Sequence, residues 1–321
     1  MHGIAGWTER NQVALYVAGL AVGASVGLAV PAAARPAELA IQPVLALLLY
    51  VTFLGIPFGL VRRAFADWRF LATVGALDFV IVPLVVWPLS RIVAGDRALL
   101  VGVLFVLLAP CIDYVIVFAG LAGGDRARLL AASPVLMVAQ VILLPVFLWA
   151  FAGTDVVGSL DLAPFGEAFG TLIALPLAAA VLTQLAAARW RLARRAAEAL
   201  TGAMVPVMVA TLAVVVASQI AGVGARLGSL ALAALVFAAF AALMVPIGIA
   251  TGRVARLGVA ERRSVVFGGV TRNSLVVLPL VLALPREYDL SPLVVVTQTL
   301  VELVAMVVLV RIVPRLVPDG A

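Results

Sequence analysis

Ten apolar stretches follow one another along this chain, near residues 12–30, 39–61, 70–90, 98–122, 129–152, 166–187, 199–221, 228–251, 264–284 and 291–312. Each reaches or approaches the roughly 20 residues that a helix needs to cross a bilayer. Hydrocarbon offers backbone N–H and C=O groups no water, so within one such segment the helical ladder is what satisfies them. Composition agrees, with 65% hydrophobic and 12% charged residues and a mean hydropathy of +1.22, against about 25% charged residues in an ordinary soluble domain. The expectation is an all-α integral membrane protein with ten transmembrane helices. The first stretch reads as a span, since its apolar run is longer than the core of a cleaved leader and Glu9 beside Arg10 weakens a basic start.

Arginine sets the orientation, because the sequence contains no lysine. Sixteen of the 22 arginines fall before the first span, after the even-numbered spans or at the end of the last one. Among them are Arg62, Arg63 and Arg69, Arg126 and Arg128, the group Arg189, Arg191, Arg194 and Arg195, and the group Arg253, Arg256, Arg262 and Arg263. The opposite side has five and shows the acids Asp155, Asp161, Glu167, Glu287 and Asp289. The positive-inside rule therefore places both termini in the cytoplasm of a cell-membrane protein. Although the pI is near 10.6, the arginines are dispersed over short loops, which argues against nucleic acid as a partner. The group around Trp190 suits anionic headgroups of the lipid bilayer instead.

An internal repeat organises the spans. Pro43-Val44 recurs as Pro206-Val207, and Val82-Pro83 as Val245-Pro246, both at a spacing of 163. The matches fall on equivalent spans of two halves, 12–152 and 166–312, within one polytopic domain covering 1–321. A half of five spans is odd, so the second must insert upside down, the inverted-repeat plan of many secondary transporters. Spans 4 and 9 are then partners, and they carry the least ordinary residues. Span 4 contains Pro110-Cys111-Ile112-Asp113-Tyr114, and span 9 contains Gly268-Gly269-Val270-Thr271-Arg272-Asn273-Ser274. Proline removes a backbone donor and paired glycines weaken a helix. Both spans are expected to be broken and to cross at a site in mid-membrane.

The polar residues of these spans are the candidates for chemistry. Arg272 at a helix centre costs about 2.5–3.5 kcal/mol on insertion scales and requires a partner. Asp78, Asp113 and Glu302 are the acids within the spans. The pairing is either a fixed bridge that holds the packing or part of a substrate or ion site. Glu302 shares a helical face with Gln298, one turn away, and Thr299 extends the polar stripe. A carboxyl desolvated there can exchange a proton at physiological pH. Cys111, the only cysteine, is either a small packing residue or a soft ligand for a thiophilic solute. One cysteine and one histidine, His2, leave no multi-thiolate or histidine metal centre, and no resident cofactor is expected.

Pro110-Cys111-Ile112-Asp113-Tyr114 through Phe118, Gly123-Gly124-Asp125, Thr271-Arg272-Asn273-Ser274 and the late Glu302 resemble the arsenite efflux permeases of the yeast-type arsenical-resistance family. That family lies within the bile acid:sodium symporter superfamily. The resemblance implies ten helices, a panel domain from spans 1, 2, 6 and 7, and a core domain from spans 3–5 and 8–10. It also implies that Cys111 and Glu302 are needed for transport. Sodium-coupled relatives usually carry an acid shortly before the polar pair of span 9, where this chain has Gly268-Gly269 and then Arg272. A guanidinium standing in for sodium there implies proton coupling or facilitated movement.

Two functions follow. The first is export of arsenite or antimonite, mostly an uncharged trihydroxide at neutral pH, by a secondary transporter acting as a proton antiporter through alternating access. The second is carriage of a small organic anion, with Arg272 gripping its carboxylate in bidentate fashion. An enzyme is disfavoured, since no nucleophile motif or soluble domain interrupts the spans. The expected site comprises Pro110, Cys111, Asp113, Tyr114, Arg272, Asn273, Ser274, Gln298, Glu302 and Asp78, with Cys111 as a transient arsenite ligand.

Overall fold

A computed structural model describes Trp7, Ala32 and residues 11–30, 34–55, 65–112, 115–153, 170–220 and 226–319. Its helices in chain order are α1 Gln12–Ala29, α2 Ala34–Gly55, α3 Trp68–Ile92, α4 Arg97–Leu107, α5 Val115–Leu121, α6 Arg126–Ala152 and α7 Leu175–Arg189. They continue as α8 Arg191–Gly202, α9 Met204–Gln219, α10 Leu227–Val254, α11 Val259–Val270, α12 Ser274–Leu282 and α13 Ser291–Leu316. Five of these, α2, α3, α6, α10 and α13, are long and apolar enough to cross a membrane, and the pair α8–α9, bent by 47°, makes a sixth candidate. The protein is a multi-pass, all-α membrane protein. The apolar windows near 98–122 and 264–284 are each split, into α4 and α5 and into α11 and α12.

The helices group into two compact units, Met1–Gly55 with Leu162–Leu227 and Ile56–Asp161 with Gly228–Ala321. Each unit draws on both halves of the sequence. In the first, α9 packs along α1 and α2, and α7 packs on α2. Backbones approach closely because α1 presents Gly19, Gly23 and Gly27; a Cβ on Gly23 would collide with the carbonyl oxygen of Ala213. Tyr50 and Thr183 share a hydrogen bond of 2.9 Å, and Gln184 donates to the carbonyl of Leu54 at 3.0 Å, tying α2 to α7.

The arginines after the sixth window correct the sequence reading. They are expected in a loop, yet Arg191, Arg194 and Arg195 lie on α8, none of whose residues is buried. Alanine, leucine and arginine are strong helix formers, and an amphipathic helix keeps the charges wet without a loop.

The second unit contains α3–α6 and α10–α13. Arginines satisfy the orphan carbonyls at the ends of three long helices. Arg91 reaches Phe151 O at 3.2 Å, Arg69 reaches Ala255 O at 2.8 Å, and Arg263 holds Val317 O at 3.0 and 2.9 Å. Asp125 caps α6 by accepting from Arg128 N at 3.0 Å. Arg128 also pairs with Asp67, with Asp125 at 2.9 Å and with Glu261 at 2.6 Å, joining the start of α3, α6 and α11.

Candidate functional site

The two helix breaks meet. Proline disfavours helical geometry in the residue before it, so α4 stops short of Pro110 and the Ala109 carbonyl loses its helical donor. That carbonyl accepts from Asn273 N at 2.8 Å, while Cys111 N donates to Thr271 O at 3.4 Å. Pro110 and Arg272 thus form a single antiparallel bridge, in which each break satisfies backbone groups freed in the other. Ser133 on α6 adds a hydrogen bond of 3.1 Å to Ile112 O. Cys111 is 3% exposed beside this bridge.

Side chains of the second break close both of its helix ends. Thr271 Oγ1 donates to Phe267 O at 2.7 Å, and the Arg272 guanidinium folds back onto Gly268 O and Gly269 O at 2.7 and 2.9 Å. A cation therefore sits on the negative end of α11. Asn273 Oδ1 accepts from Val276 N at 3.2 Å and so caps α12. Gly269 also packs closely on α3: a Cβ there would lie 2.7 Å from Leu77 Cδ2, so Leu77 would have to shift.

Arg272 is fully buried and donates to Asp78 Oδ1 at 2.8 Å. Asp78 lies on the π-helical turn Leu77–Ile81 inside α3, an insertion of the kind often found at functional sites. The Phe240 ring lies 5.5 Å from the guanidinium carbon. Glu302 approaches from α13 and accepts from Arg272 N at 2.7 Å, as well as from Gln298 Nε2. Thr299 Oγ1 contacts Ser274 Oγ at 2.9 Å. A cavity of about 10 Å³ lies beside Gln298 and Glu302, bordered by Leu107, Phe240 and Val270. It has room for roughly one water.

Pro110, Cys111, Asp78, Arg272, Asn273, Ser274, Gln298 and Glu302 thus come together in one unit from four spans. Asp113 and Tyr114 lie outside the described residues. Sequence reasoning named three acids as partners for Arg272, and Asp78 is its salt-bridge partner. It missed Phe240 and Ser133. Ser133 and Gln140 stand seven residues apart on one face of α6, and that polar pair in an apolar helix was the available signal. Asn273 Nδ2, Gln298 Oε1 and Gln140 Oε1 are buried without a hydrogen-bond partner among the described residues. Among those residues no three His, Cys, Asp or Glu side chains converge as metal ligands.

Buried charge at paired helix breaks, inside an apolar helical protein, is the build of a secondary transporter. The model of the sodium bile acid symporter family matches residues 42–226, more than half of the chain, and the chain belongs to that family. The match includes the first break and ends before the second. No curated protein matches the chain. The protein is a multi-pass membrane transporter, a class that carries small solutes without transforming them.

Proposed function

We propose that this transporter exports arsenite, and antimonite by the same chemistry, from the cytoplasm in exchange for protons. The single observation that carries the reading is Cys111, a buried thiol whose backbone N–H bonds Thr271 O in the bridge between the two breaks. The thiol exchanges with one hydroxide of the metalloid: a sulfur–arsenic bond forms, an arsenic–oxygen bond breaks, and the thiol proton leaves with hydroxide as water. Hydrolysis reverses the step. One sulfur holds the solute weakly enough for release, which turnover requires. Asn273 Nδ2 and Gln298 Oε1 supply a buried donor and acceptor suited to the remaining hydroxyls.

Charge balance favours protons as the coupling ion. Among the described residues the cluster holds one guanidinium against the carboxyls of Asp78 and Glu302, so one proton brings it to neutrality. Arg272 rests on two carbonyls and a carboxylate, oxygen groups of the kind that bind sodium at broken transporter helices. In this reading the guanidinium is a tethered cation. The same bonds disfavour the organic-anion reading, because the Nη2 group needed for a bidentate grip is already held by protein.

The wider plan belongs to this proposal. Ten spans arise when α4 with α5 and α11 with α12 each count as one interrupted span and α1 and α7 as short spans. The two inverted halves are then 12–152 and 166–312. The unit carrying both breaks corresponds to the core domain and the other to the panel. Expression in a host stripped of its own arsenite exporters, with cellular arsenic and survival measured, tests the function. Lower arsenic and higher survival support export; unchanged arsenic at normal protein level refutes it.

A further inference from the structure

We infer that the groove between the first turns of α3 and the last turns of α10 is a binding site for one anionic phospholipid. The groove holds about 570 Å³, within the roughly 300–1,000 Å³ typical of sites for small ligands. Ala72, Ala76 and Ala250 are among its lining residues, and their short side chains leave space between the two helices. Two hydroxyls line it, but both are committed to their own helices: Thr73 donates to Arg69 O at 2.6 Å and Thr251 to Ile247 O at 2.8 Å. The walls therefore act as hydrocarbon, and a polar solute finds nothing to bind along them.

Among the described residues the charged group of the lining is Arg69, in the first turn of α3. Its Nη2 donates to Ala255 O, just beyond α10, so the exposed guanidinium is pinned across the mouth of the groove. Trp68, 67% exposed, stands beside it, as amphipathic rings do at the headgroup level. An apolar trough closed by one fixed cation matches an acyl chain below an anionic headgroup. The site is separate from the helix breaks, although α3 carries both Arg69 and Asp78.

Trp68 provides the readout. The full chain with Trp7, Trp87, Trp149 and Trp190 replaced by Phe is reconstituted in phosphatidylcholine vesicles containing dibrominated phosphatidylglycerol or dibrominated phosphatidylcholine. Bromine on the anionic lipid should quench Trp68 with about a fivefold preference, the scale of one arginine at an anionic surface. Arg69→Gln should abolish that preference and Arg69→Lys keep most of it. Ala250→Phe, which fills the trough without touching the charge, should also abolish it. Equal quenching by the two lipids, or by neither, overturns the site. So does a preference that survives Ala250→Phe, which would make it headgroup attraction alone, or one removed by millimolar inorganic phosphate, which would make the ligand a free anion.

Discussion

Arg272 is the residue on which the cluster depends, because its guanidinium closes α11, neutralises Asp78 and lies near Phe240. Removing one member of a buried pair costs about 3–5 kcal/mol, since the other charge is left without compensation. Arg272→Ala is therefore expected to lower the thermal stability of the purified protein sharply. Asp78→Asn added to Arg272→Ala should recover part of that loss, as measured by the temperature at which monodisperse protein disappears. Cys111 differs in kind. Cys111→Ser keeps the volume and loses the soft ligand, so membrane abundance and melting should hold while arsenite resistance disappears. Full resistance in Cys111→Ser would make the thiol a packing residue and return weight to an organic anion. Glu302→Gln keeps the hydrogen bond from Arg272 N but cannot titrate, so downhill exchange should survive in vesicles while pH-driven accumulation is lost.

Asn273 separates the two duties of the second break at the scale of the element. Its Oδ1 caps α12, a contribution of about 0.5–2 kcal/mol, while its Nδ2 is buried without a partner among the described residues. Serine is as good a cap but has no amide. Asn273→Ser should therefore melt near the wild type and transport poorly, whereas Asn273→Ala should lose both properties. Transport rate and melting, compared across the two variants, check this. The first break was legible in the sequence, since Pro110 stops a helix for local steric reasons; the second falls at Thr271-Arg272-Asn273, because Gly268-Gly269 stay helical inside α11. Other features were not. The π-helical turn that carries Asp78 depends on packing around α3, and no propensity scale reports it. Arg191 to Arg195 read as a basic loop, yet alanine, leucine and arginine favour the helix that they form in α8. Ser133 escaped notice because a hydroxyl in an apolar helix is common, and only the fold shows Ser133 reaching Ile112 O.

For the whole molecule, sidedness and coupling are linked, because the proposed proton antiport requires the site to face each side in turn. With 16 of the 22 arginines on one side of the proposed spans, reporter fusions at residues 190 and 257 should be cytoplasmic and one near residue 160 external. The opposite pattern would overturn the inverted plan. The coupling ion then follows from what fills the oxygen groups at the end of α11. In a family named for sodium, Gly268 O, Gly269 O and Asp78 Oδ1 hold the Nη2 group of Arg272 at 2.7–2.9 Å. A guanidinium carried on the chain cannot be exchanged for an ion from solution, so these oxygens cannot report a sodium gradient. Replacing sodium by potassium on both sides of reconstituted vesicles should leave arsenite flux unchanged, while an imposed pH gradient should drive it. A strict sodium requirement would show that a second cation site exists elsewhere and would sink the tethered-cation mechanism, even if Cys111 still proved essential.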